Sequence, residues 1–408
     1  MTRVEPVRLD LPKAPFRPEA RGPLTGVRVL DLTRLISGGQ LGLVLADLGA
    51  DVIKVERPGS GDGLRHTTVD GFDANWRAYA RNKRSITLDL STQRGRELLL
   101  RLADRSAVLA ENFTPGVLER LVGGPDELLE RNPRLVIVRI TGWGQTGPKA
   151  AQPGFGTLAE AYSGFTYLNG TVDGPPTSAP ASLADTFAGT YAAAAALAAL
   201  WEVRVNGGAG QVVDVSLFEP LFSIMGADAT AYAARGKLRQ RGEGAGVSSV
   251  RGAFQTADEH WIAVSAATDD TVGRLFAALG RTDLLLEPRF ATYEARLANR
   301  HDLHELLALQ FARFTREELL RVAADNRLTI GPVYDALDIL EDRHYRARET
   351  IVETEDGVVL HNVVPRLSRT PGALRRPAPS LGEHNGEVYG ELGLSESELA
   401  ELAGAGVV

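Results

Sequence analysis

Short apolar runs alternate with helical patterns over the first half of the chain, and this order predicts an α/β domain. The predicted strands are rich in Val, Ile and Leu and lie at residues 25–33, 51–56, 82–90, 107–111 and 135–140. Because helical segments connect them, we expect a Rossmann-like open parallel sheet. The loops after parallel strands gather at one edge, where α/β sheets bind ligands.

A different pattern begins near residue 226 and continues to about residue 330. Two strand-like segments flank Glu259 and His260 and predict a hairpin. Helical patterns follow it at residues 270–279, 300–312 and 315–324. We therefore expect a smaller α+β domain at 226–330, inserted between residues 1–225 of a large domain and a part at 331–408 that returns to it.

The most distinctive stretch is PASLADTFAGTYAAAAALAALW at residues 180–201. Its acidic residue, Asp185, precedes sixteen uncharged residues, and alanine has the highest helix propensity. A helix that is apolar all round is typical of a buried helix, here with Asp185 at or just before its N-terminus. Asp185 is then either an N-cap that accepts a backbone N–H, the commoner use of such a carboxylate, or a nucleophile held where several N–H groups converge.

Composition limits the classes of protein to consider. The 408 residues are 44% hydrophobic and 24% charged, as in a soluble protein of two or three domains. The net charge of −7 argues against nucleic acid as the main partner. The absence of cysteine excludes disulfides, thiol nucleophiles and thiolate metal sites. Residues 1–22 lack the apolar core of a secretory signal, and the alanine-rich helix is poor in large aliphatic residues, so we expect a cytoplasmic protein with no membrane partner.

Several motifs of cofactor and metal sites are missing from the sequence. His301 and His304 share a helical face, but no third ligand lies nearby in the sequence, so we expect no metal site. The G-x-G-x-x-G and G-x-S-x-G patterns of dinucleotide-binding proteins and serine hydrolases are absent. The glycine-rich loop at residues 57–63 is either a phosphate-binding loop without the P-loop lysine or an ordinary mobile loop.

Nine segments, in this order and spacing, resemble CoA-transferase family III, the group of formyl-CoA and carnitine CoA-transferases. They read LADLGADVIKVERPGSGD, NKRSITLDL, ENFTPG, GWGQTGP, DGPP, SLADTFAG, GAGQVVDVSLFE, PRFAT and RRPAPSLGEH. The resemblance runs from about residue 24 to residue 408. It implies an interlocked homodimer, in which two chains are threaded through each other.

The resemblance also implies a mechanism in which Asp185 matches the family's nucleophilic aspartate. Its carboxylate would attack an acyl-CoA thioester to give a mixed acyl-aspartyl anhydride and CoA thiolate. The thiolate would return to form an aspartyl-CoA thioester, from which an acceptor carboxylate collects the CoA. Coenzyme A and acyl-CoA are then substrates, and no permanently bound cofactor is expected. The resemblance favours the nucleophile over the cap, with the helix start supplying N–H donors.

By motif position, the family's CoA contacts fall on nine residues: Ile36, Ser37, Arg57, Leu88, Asp89, Leu90, Asn112, Phe113 and Arg120. Arg57 and Arg120 are the candidates for binding the CoA phosphates. For Arg120 the alternative is a solvated helix arginine, and for Phe113 it is a place in the core.

The chain departs from the family pattern in three places. A racemase branch uses a histidine within Gly-His-Asp, and Phe155 stands there instead, which disfavours an acyl-CoA racemase or isomerase. The glycine-rich lid loop of some members is reduced to residues 242–246. Downstream, where the family often has Pro-Tyr-Gly, this chain reads Ser248-Ser249-Val250-Arg251-Gly252. Arg251 is a candidate to bind the carboxylate of a dicarboxylic acyl group or acceptor, with a surface ion pair as the alternative. We expect a CoA-transferase with succinyl-CoA as a candidate donor, and a non-catalytic CoA-binding relative remains the third hypothesis.

Overall fold

A computed structural model describes residues 10–171, 173–242 and 249–408. The chain divides into a larger unit, residues 10–239 and 346–408, and a smaller unit that takes in residues 240–345. The sequence placed these boundaries near residues 226 and 330, about fifteen residues earlier. Most of the predicted lid loop, residues 243–246, lies outside the described residues.

The described residues form twelve strands and eighteen α-helices. In chain order the strands are β1 Lys13–Ala14, β2 Arg28–Asp31, β3 Asp51–Glu56, β4 Lys83–Thr87, β5 Val108–Glu111, β6 Val136–Thr141, β7 Val212–Ser216, β8 Val250–Gln255, β9 Trp261–Ala266, β10 Ile330–Pro332, β11 Ile351–Thr354 and β12 Val359–His361. The helices are α1 Leu35–Asp47, α2 Ala74–Ala80, α3 Gln93–Ala103, α4 Val117–Val122, α5 Gly124–Arg131, α6 Gly156–Tyr162, α7 Phe165–Leu168, α8 Leu183–Arg204, α9 Phe218–Ser223, α10 Asp228–Arg235, α11 Asp269–Ala278, α12 Tyr293–Ala298, α13 Arg300–Phe311, α14 Arg316–Asn326, α15 Ala336–Glu341, α16 Arg343–Ala347, α17 Asn385–Glu391 and α18 Glu396–Gly404.

The larger unit is built on a six-stranded sheet of order β4-β3-β2-β5-β6-β7. Every neighbouring pair in it is parallel, which confirms the predicted open parallel sheet. In β2, Val29 and Leu30 point to opposite faces and both are fully buried, so apolar layers cover both sides. The carboxyl ends of the strands therefore meet at one edge.

Helices cover each face of this sheet. The helices α1 and α8 pack together on one face. The other face is covered by α3 together with the C-terminal tail, where the Tyr389 hydroxyl donates to the carbonyl of Thr87 at 2.7 Å. The N–H of Asp89 also donates a hydrogen bond to the carbonyl of Val407 in the tail. Residues 346–408 are thus part of the larger unit's core.

The helix α1 contains adjacent glycines near its start. It begins at Leu35, and Gly38 and Gly39 follow within it. A Cβ at Gly38 would lie 1.9 Å from Thr33 Oγ1, so the first turn of the helix lies directly against the end of β2. Tertiary packing outweighs the low helix propensity of glycine at this position.

The alanine-rich helix α8 has one buried and one exposed face. Its buried face carries Ala184, Ala188, Ala192 and Ala196, which recur every four residues. Trp201 is 62% exposed on the opposite side, so the prediction of burial all round was wrong. Although α8 is long and apolar enough to cross a membrane, it packs against α1, β6 and β7.

The smaller unit contains the predicted hairpin. The strands β8 and β9 pair antiparallel, and β10 adds to β9 on its other side. Helices α11, α13 and α14 contribute buried residues such as Phe276, Phe311 and Leu319 to one apolar core. The unit therefore has a core of its own.

Candidate active site

Three adjoining cavities lie where the loops after the parallel strands meet. The first, of about 400 Å³, and the second, of about 460 Å³, share Arg34 and Phe113 in their walls. The second and the third, of about 470 Å³, share Leu35, Phe155 and Asp185. Asp185 therefore lies at the junction of the second and third cavities, and the first cavity adjoins the second on its other side at Arg34 and Phe113.

Five of the nine residues predicted to contact CoA line the first cavity: Arg57, Leu88, Asp89, Leu90 and Phe113. The carboxylate of Asp89 accepts the N–H of Ser91 at 2.9 Å, and hydrogen bonding from Ser91 lowers the pKa of Asp89. This cavity thus combines apolar side chains with a fixed carboxylate at its rim.

The cations of the first cavity fall into two kinds. Lys54 is buried, and its Nζ lies 3.0 Å from Asp62 Oδ2 and 3.7 Å from Asp31 Oδ1. Arg34 and Arg57 are exposed, and neither forms a salt bridge within the described part of the chain. An incoming anion would therefore meet these two arginines rather than Lys54.

Asn112 fixes the loop between β2 and α1. Its Nδ2 donates to the carbonyl of Arg34 at 2.7 Å, and the N–H of Arg34 donates to its Oδ1 at 2.8 Å. The next N–H, of Leu35, donates to Asp62 Oδ1 at 3.1 Å. These bonds hold Leu35 at φ +62°, a left-handed conformation that a leucine rarely adopts. Asn112, predicted as a CoA contact, thus also shapes the cavity walls.

The other predicted residues lie in different places. Ser37 lines the second cavity and Ile36 the third. Arg120 is exposed on α4 and lines none of the three cavities, whereas its neighbour Leu121 lines the first. Arg251 is exposed on β8 in the smaller unit. The roles of Arg120 and Arg251 stay predictions.

Asp185 is the third residue of α8, and Ser182 occupies the N-cap position. The first two N–H groups of the helix, of Leu183 and Ala184, donate to Glu160 Oε1 at 3.1 and 3.4 Å. Among the described residues, none donates a hydrogen bond to the Asp185 carboxylate. Asp185 is therefore not a cap, and the expectation that helix N–H groups converge on it was wrong. The N–H groups of Leu183 and Ala184 donate to Glu160, and that of Leu183 also donates to the carbonyl of Ala181 at 2.7 Å.

The Asp185 carboxylate lies against the start of α6. A Cβ at Gly156 would come within 2.2 Å of Asp185 Oδ2, so only glycine leaves room for the carboxylate there. Burial, and secondarily the charge of Glu160, raises the pKa of Asp185 to about 6. At pH 7 the group remains about 90% ionised and is more basic than an ordinary aspartate. Such a carboxylate suits a nucleophile or a general base.

Phe155, at the N-cap position of α6, is 68% exposed and borders the second and third cavities beside Asp185. A phenyl ring cannot accept or donate a proton, so the side chain that faces Asp185 from this position supplies no proton relay. Within the described ranges, no cluster of three His, Asp or Glu residues could hold a metal ion.

The sequence did not identify Glu160, Gly156 or Arg34 as parts of the site. Glu160 lies 25 residues before Asp185, on another helix, and no spacing rule connects the two. Arg34 could have been found, because it directly follows a predicted strand at the edge where ligands bind. Gly156 had no separate signal within a stretch that contains several glycines.

Comparison with known proteins finds a match to the family model described as CoA-transferase family III over residues 24–385. The chain is 38% identical to succinyl-CoA–D-citramalate CoA-transferase of Chloroflexus aurantiacus, over 95% of this chain and 98% of that protein. It is also 38% identical to the beta subunit of succinyl-CoA–L-malate CoA-transferase from the same organism, with the same coverage. The crystal structure of a CaiB/BaiF family protein from Brucella suis matches with a TM-score of 0.82 and 33% identity, over 91% of this chain and 100% of that one.

Proposed function

This chain belongs to CoA-transferase family III, and from that premise we propose that it moves CoA from succinyl-CoA to a small dicarboxylic acid with Asp185 as the nucleophile. Two relatives that cover nearly the whole chain are named for succinyl-CoA as donor and for D-citramalate or L-malate as acceptor. Both acceptors are hydroxylated dicarboxylic acids, so this class is the first to test.

The proposed reaction needs only the Asp185 carboxylate and the two substrates. An Asp185 oxygen bonds to the thioester carbonyl carbon, the C–S bond breaks, and CoA leaves as thiolate from a succinyl-aspartyl anhydride. The thiolate attacks the aspartyl carbonyl, which releases succinate and leaves an aspartyl-CoA thioester. The acceptor carboxylate attacks that thioester and forms an acceptor-aspartyl anhydride, with CoA leaving again as thiolate. The thiolate then attacks the acyl carbon of the acceptor, which gives the acceptor's CoA thioester and releases the Asp185 carboxylate.

The order of the cavities supports this assignment. The adenine and phosphates of CoA would occupy the first cavity beside Arg34 and Arg57. The pantetheine arm would pass Phe113 through the second cavity and bring the thioester to Asp185. The acyl or acceptor group would then enter the third cavity, which is lined by hydroxyl and amide groups such as Thr157, Ser182 and Asn75.

Arg251 remains the proposed partner of the distal carboxylate of a dicarboxylic substrate. An Arg251→Ala variant is expected to raise the KM for dicarboxylic acceptors and to leave the KM for monocarboxylic acceptors unchanged. An unchanged KM for both classes would leave Arg251 as a surface residue.

The observation that carries the proposal is the basic carboxylate of Asp185 at the junction of two cavities. Incubation with succinyl-CoA followed by hydroxylamine or borohydride, with peptide mapping by mass spectrometry, tests it. We expect an adduct at Asp185 that is absent from Asp185→Asn and from enzyme without succinyl-CoA. CoA transfer without any adduct at Asp185 would contradict the mechanism.

An acyl-CoA racemase or isomerase on the same scaffold is the second candidate, and Phe155 argues against it because it cannot relay a proton. Exchange of the α-hydrogen of 2-methylacyl-CoA in deuterated water separates the two activities. We expect no exchange above the rate without enzyme. A non-catalytic CoA-binding relative would bind CoA but show neither exchange nor transfer.

The remaining features of the proposal concern the whole protein. We propose that it works in the cytoplasm as a homodimer of interlocked chains, with CoA thioesters and carboxylic acids as its small-molecule partners. Coenzyme A enters as a substrate in this scheme, and neither nucleic acid nor a membrane takes part.

A further inference from the structure

Glu160 is a buried carboxylate for which the proposed reaction has no use. It lies on α6, is 3% exposed, and borders the same cavity as Asp185. Burying a carboxylate is costly unless hydrogen bonds or an opposite charge compensate. Within the described residues Glu160 has no cationic partner in a salt bridge, so its burial requires another explanation.

Among the described residues, the hydrogen bonds of the Glu160 side chain all go to the first turn of α8. Glu160 Oε1 accepts the N–H groups of Leu183 and Ala184, which a helix cannot satisfy internally. Ser182, at the N-cap position, makes no side-chain cap bond. Glu160 therefore replaces the usual cap from another helix and fixes the turn that carries Asp185.

Glu160 also contributes to the electrostatic field at Asp185, although burial contributes more to the raised pKa of Asp185. The positive end of α8 would by itself stabilise an ionised Asp185 and make it a weaker nucleophile. Glu160 takes up two of these N–H groups and adds a negative charge nearby. Of the other residues that line the two cavities at Asp185, only Arg34 is charged, and it borders the second cavity, not the third.

We propose that Glu160 is a positioning residue, which holds Asp185 by capping α8 and makes it more nucleophilic through its own negative charge. The inference rests on the proposed function of Asp185. A carboxylate that attacks a thioester must expel a thiolate, whose conjugate acid has a pKa of about 8.5 in cysteine. A more basic carboxylate narrows the gap between nucleophile and leaving group, and so favours formation of the anhydride.

Two substitutions separate the cap from the charge. Glu160→Gln keeps the Oε1 acceptor and removes the charge, whereas Glu160→Leu removes both. Glu202 lies on α8 with Asp185, about 25 Å further along the helix axis. Glu202→Gln is therefore the control for loss of one negative charge. The measurement is kcat/KM for succinyl-CoA as a function of pH, together with the Tm of each variant.

For the wild type we expect kcat/KM to fall below about pH 6, because protonation of Asp185 removes the nucleophile. Glu160→Gln should keep the Tm and move this limb to lower pH by on the order of 1 unit, while burial still keeps it above the ordinary value. Glu202→Gln should leave the limb in place, and Glu160→Leu should lower both the Tm and the activity. An acid limb in Glu160→Gln that coincides with the wild type would overturn the role of the charge. A Tm unchanged in Glu160→Leu would overturn the cap.

A readout without turnover distinguishes this inference from the proposed function. Diazo esters modify protonated carboxyl groups, so the pH dependence of Asp185 esterification, followed by mass spectrometry, reports its protonation directly. We expect the midpoint to lie lower in Glu160→Gln than in the wild type and in Glu202→Gln. If that shift is found but the wild type does not transfer CoA, the proposed function fails and the inference about Glu160 stands. Equal midpoints of esterification in the wild type, Glu160→Gln and Glu202→Gln would refute the inference about Glu160.

Discussion

At Asp185 a carboxylate is held in surroundings that disfavour its charge. Its pKa is about 6 in the folded chain against an ordinary 3.8, so the folded state binds the proton more tightly than the unfolded state. Below pH 3.8 Asp185 is protonated in both states and does not lower the free energy of unfolding. This free energy falls as the pH rises toward 6, and above pH 6 the full cost of the buried charge is present. A pKa raised from 3.8 to about 6 corresponds to about 3 kcal/mol, and partial solvent access reduces this to about 1–2 kcal/mol.

The first prediction follows from this penalty. At pH 8, Asp185→Asn should raise the Tm because the amide carries no charge, and the gain should disappear toward pH 4. The same variant should lose CoA transfer. Thermal unfolding at pH 4, 6 and 8 measures this, with Asp325→Asn on the surface as the control that leaves the Tm unchanged. A lower Tm for Asp185→Asn than for the wild type at pH 8 would show that the charge of Asp185 does not destabilise the fold.

The second prediction concerns Gly156, where the carboxylate of Asp185 fills the space of a Cβ. Gly156→Ala should displace Asp185 and reduce kcat by at least about tenfold, because small misplacements of a reacting group are costly. Gly386→Ala is the matched control, since nothing described lies within 4 Å of a Cβ there. Steady-state kinetics of both variants decide the matter, and equal kcat values would mean that Asp185 can move without loss.

At the level of elements, α8 connects the sheet to the site. Gly189 allows close contact with α1, because a Cβ there would lie 2.3 Å from the carbonyl oxygen of Ser37. The buried alanines continue this contact along the helix. The helix α1, which carries Ser37, and the helix α8, which carries Asp185, are therefore closely packed. Because both residues line the second cavity, a change in the spacing of these helices would alter that cavity.

The third prediction tests this packing. Gly189→Ala should lower the free energy of unfolding by about 1–3 kcal/mol, because the added methyl group overpacks the contact. Gly273→Ala, in the interior of α11 with open space around it, should raise stability by up to about 1 kcal/mol. Urea unfolding compares the two. A stabilised Gly189→Ala would mean that α1 and α8 can separate without cost.

At the level of the whole molecule, the exposed face of α8 is unusually apolar for a surface. It carries Tyr191 and Trp201, which are 43% and 62% exposed, with alanines between them. Large exposed aromatic residues on one helix face are typical of a surface that another chain covers. This agrees with the proposed homodimer.

The fourth prediction is therefore a particle of twice the chain mass of 43.8 kDa in light scattering after size exclusion. Interlocked chains should not exchange, so mixing two differently tagged preparations should yield no mixed dimer over days under native conditions. Refolding the same mixture from denaturant should yield mixed dimers and is the positive control. A monomer, or rapid exchange in the native mixture, would contradict the interlocked arrangement.

Much of the larger unit could be predicted from periodicity and turn chemistry. The strand at Asp51–Glu56 was placed at its observed bounds because apolar β-branched residues end sharply at charged neighbours. Thr92 is of a residue type typical of an N-cap, and at the start of α3 it accepts the N–H of Gly95 at 2.9 Å. Periodicity does not place the start of α1, because glycines that serve close packing are indistinguishable from loop glycines in a sequence.

The sequence by itself determined the parallel sheet and the order of the loops that follow its strands, and its resemblance to CoA-transferase family III made Asp185 the candidate nucleophile. These depend on local periodicity and on motifs that are contiguous in the chain. The tertiary structure alone decided that Asp185 follows the cap position, that Gly156 makes room for it and that Glu160 holds its helix. Such contacts join residues that are about 25 positions or more apart, and their energy depends on burial and distance, which no pattern along the chain encodes.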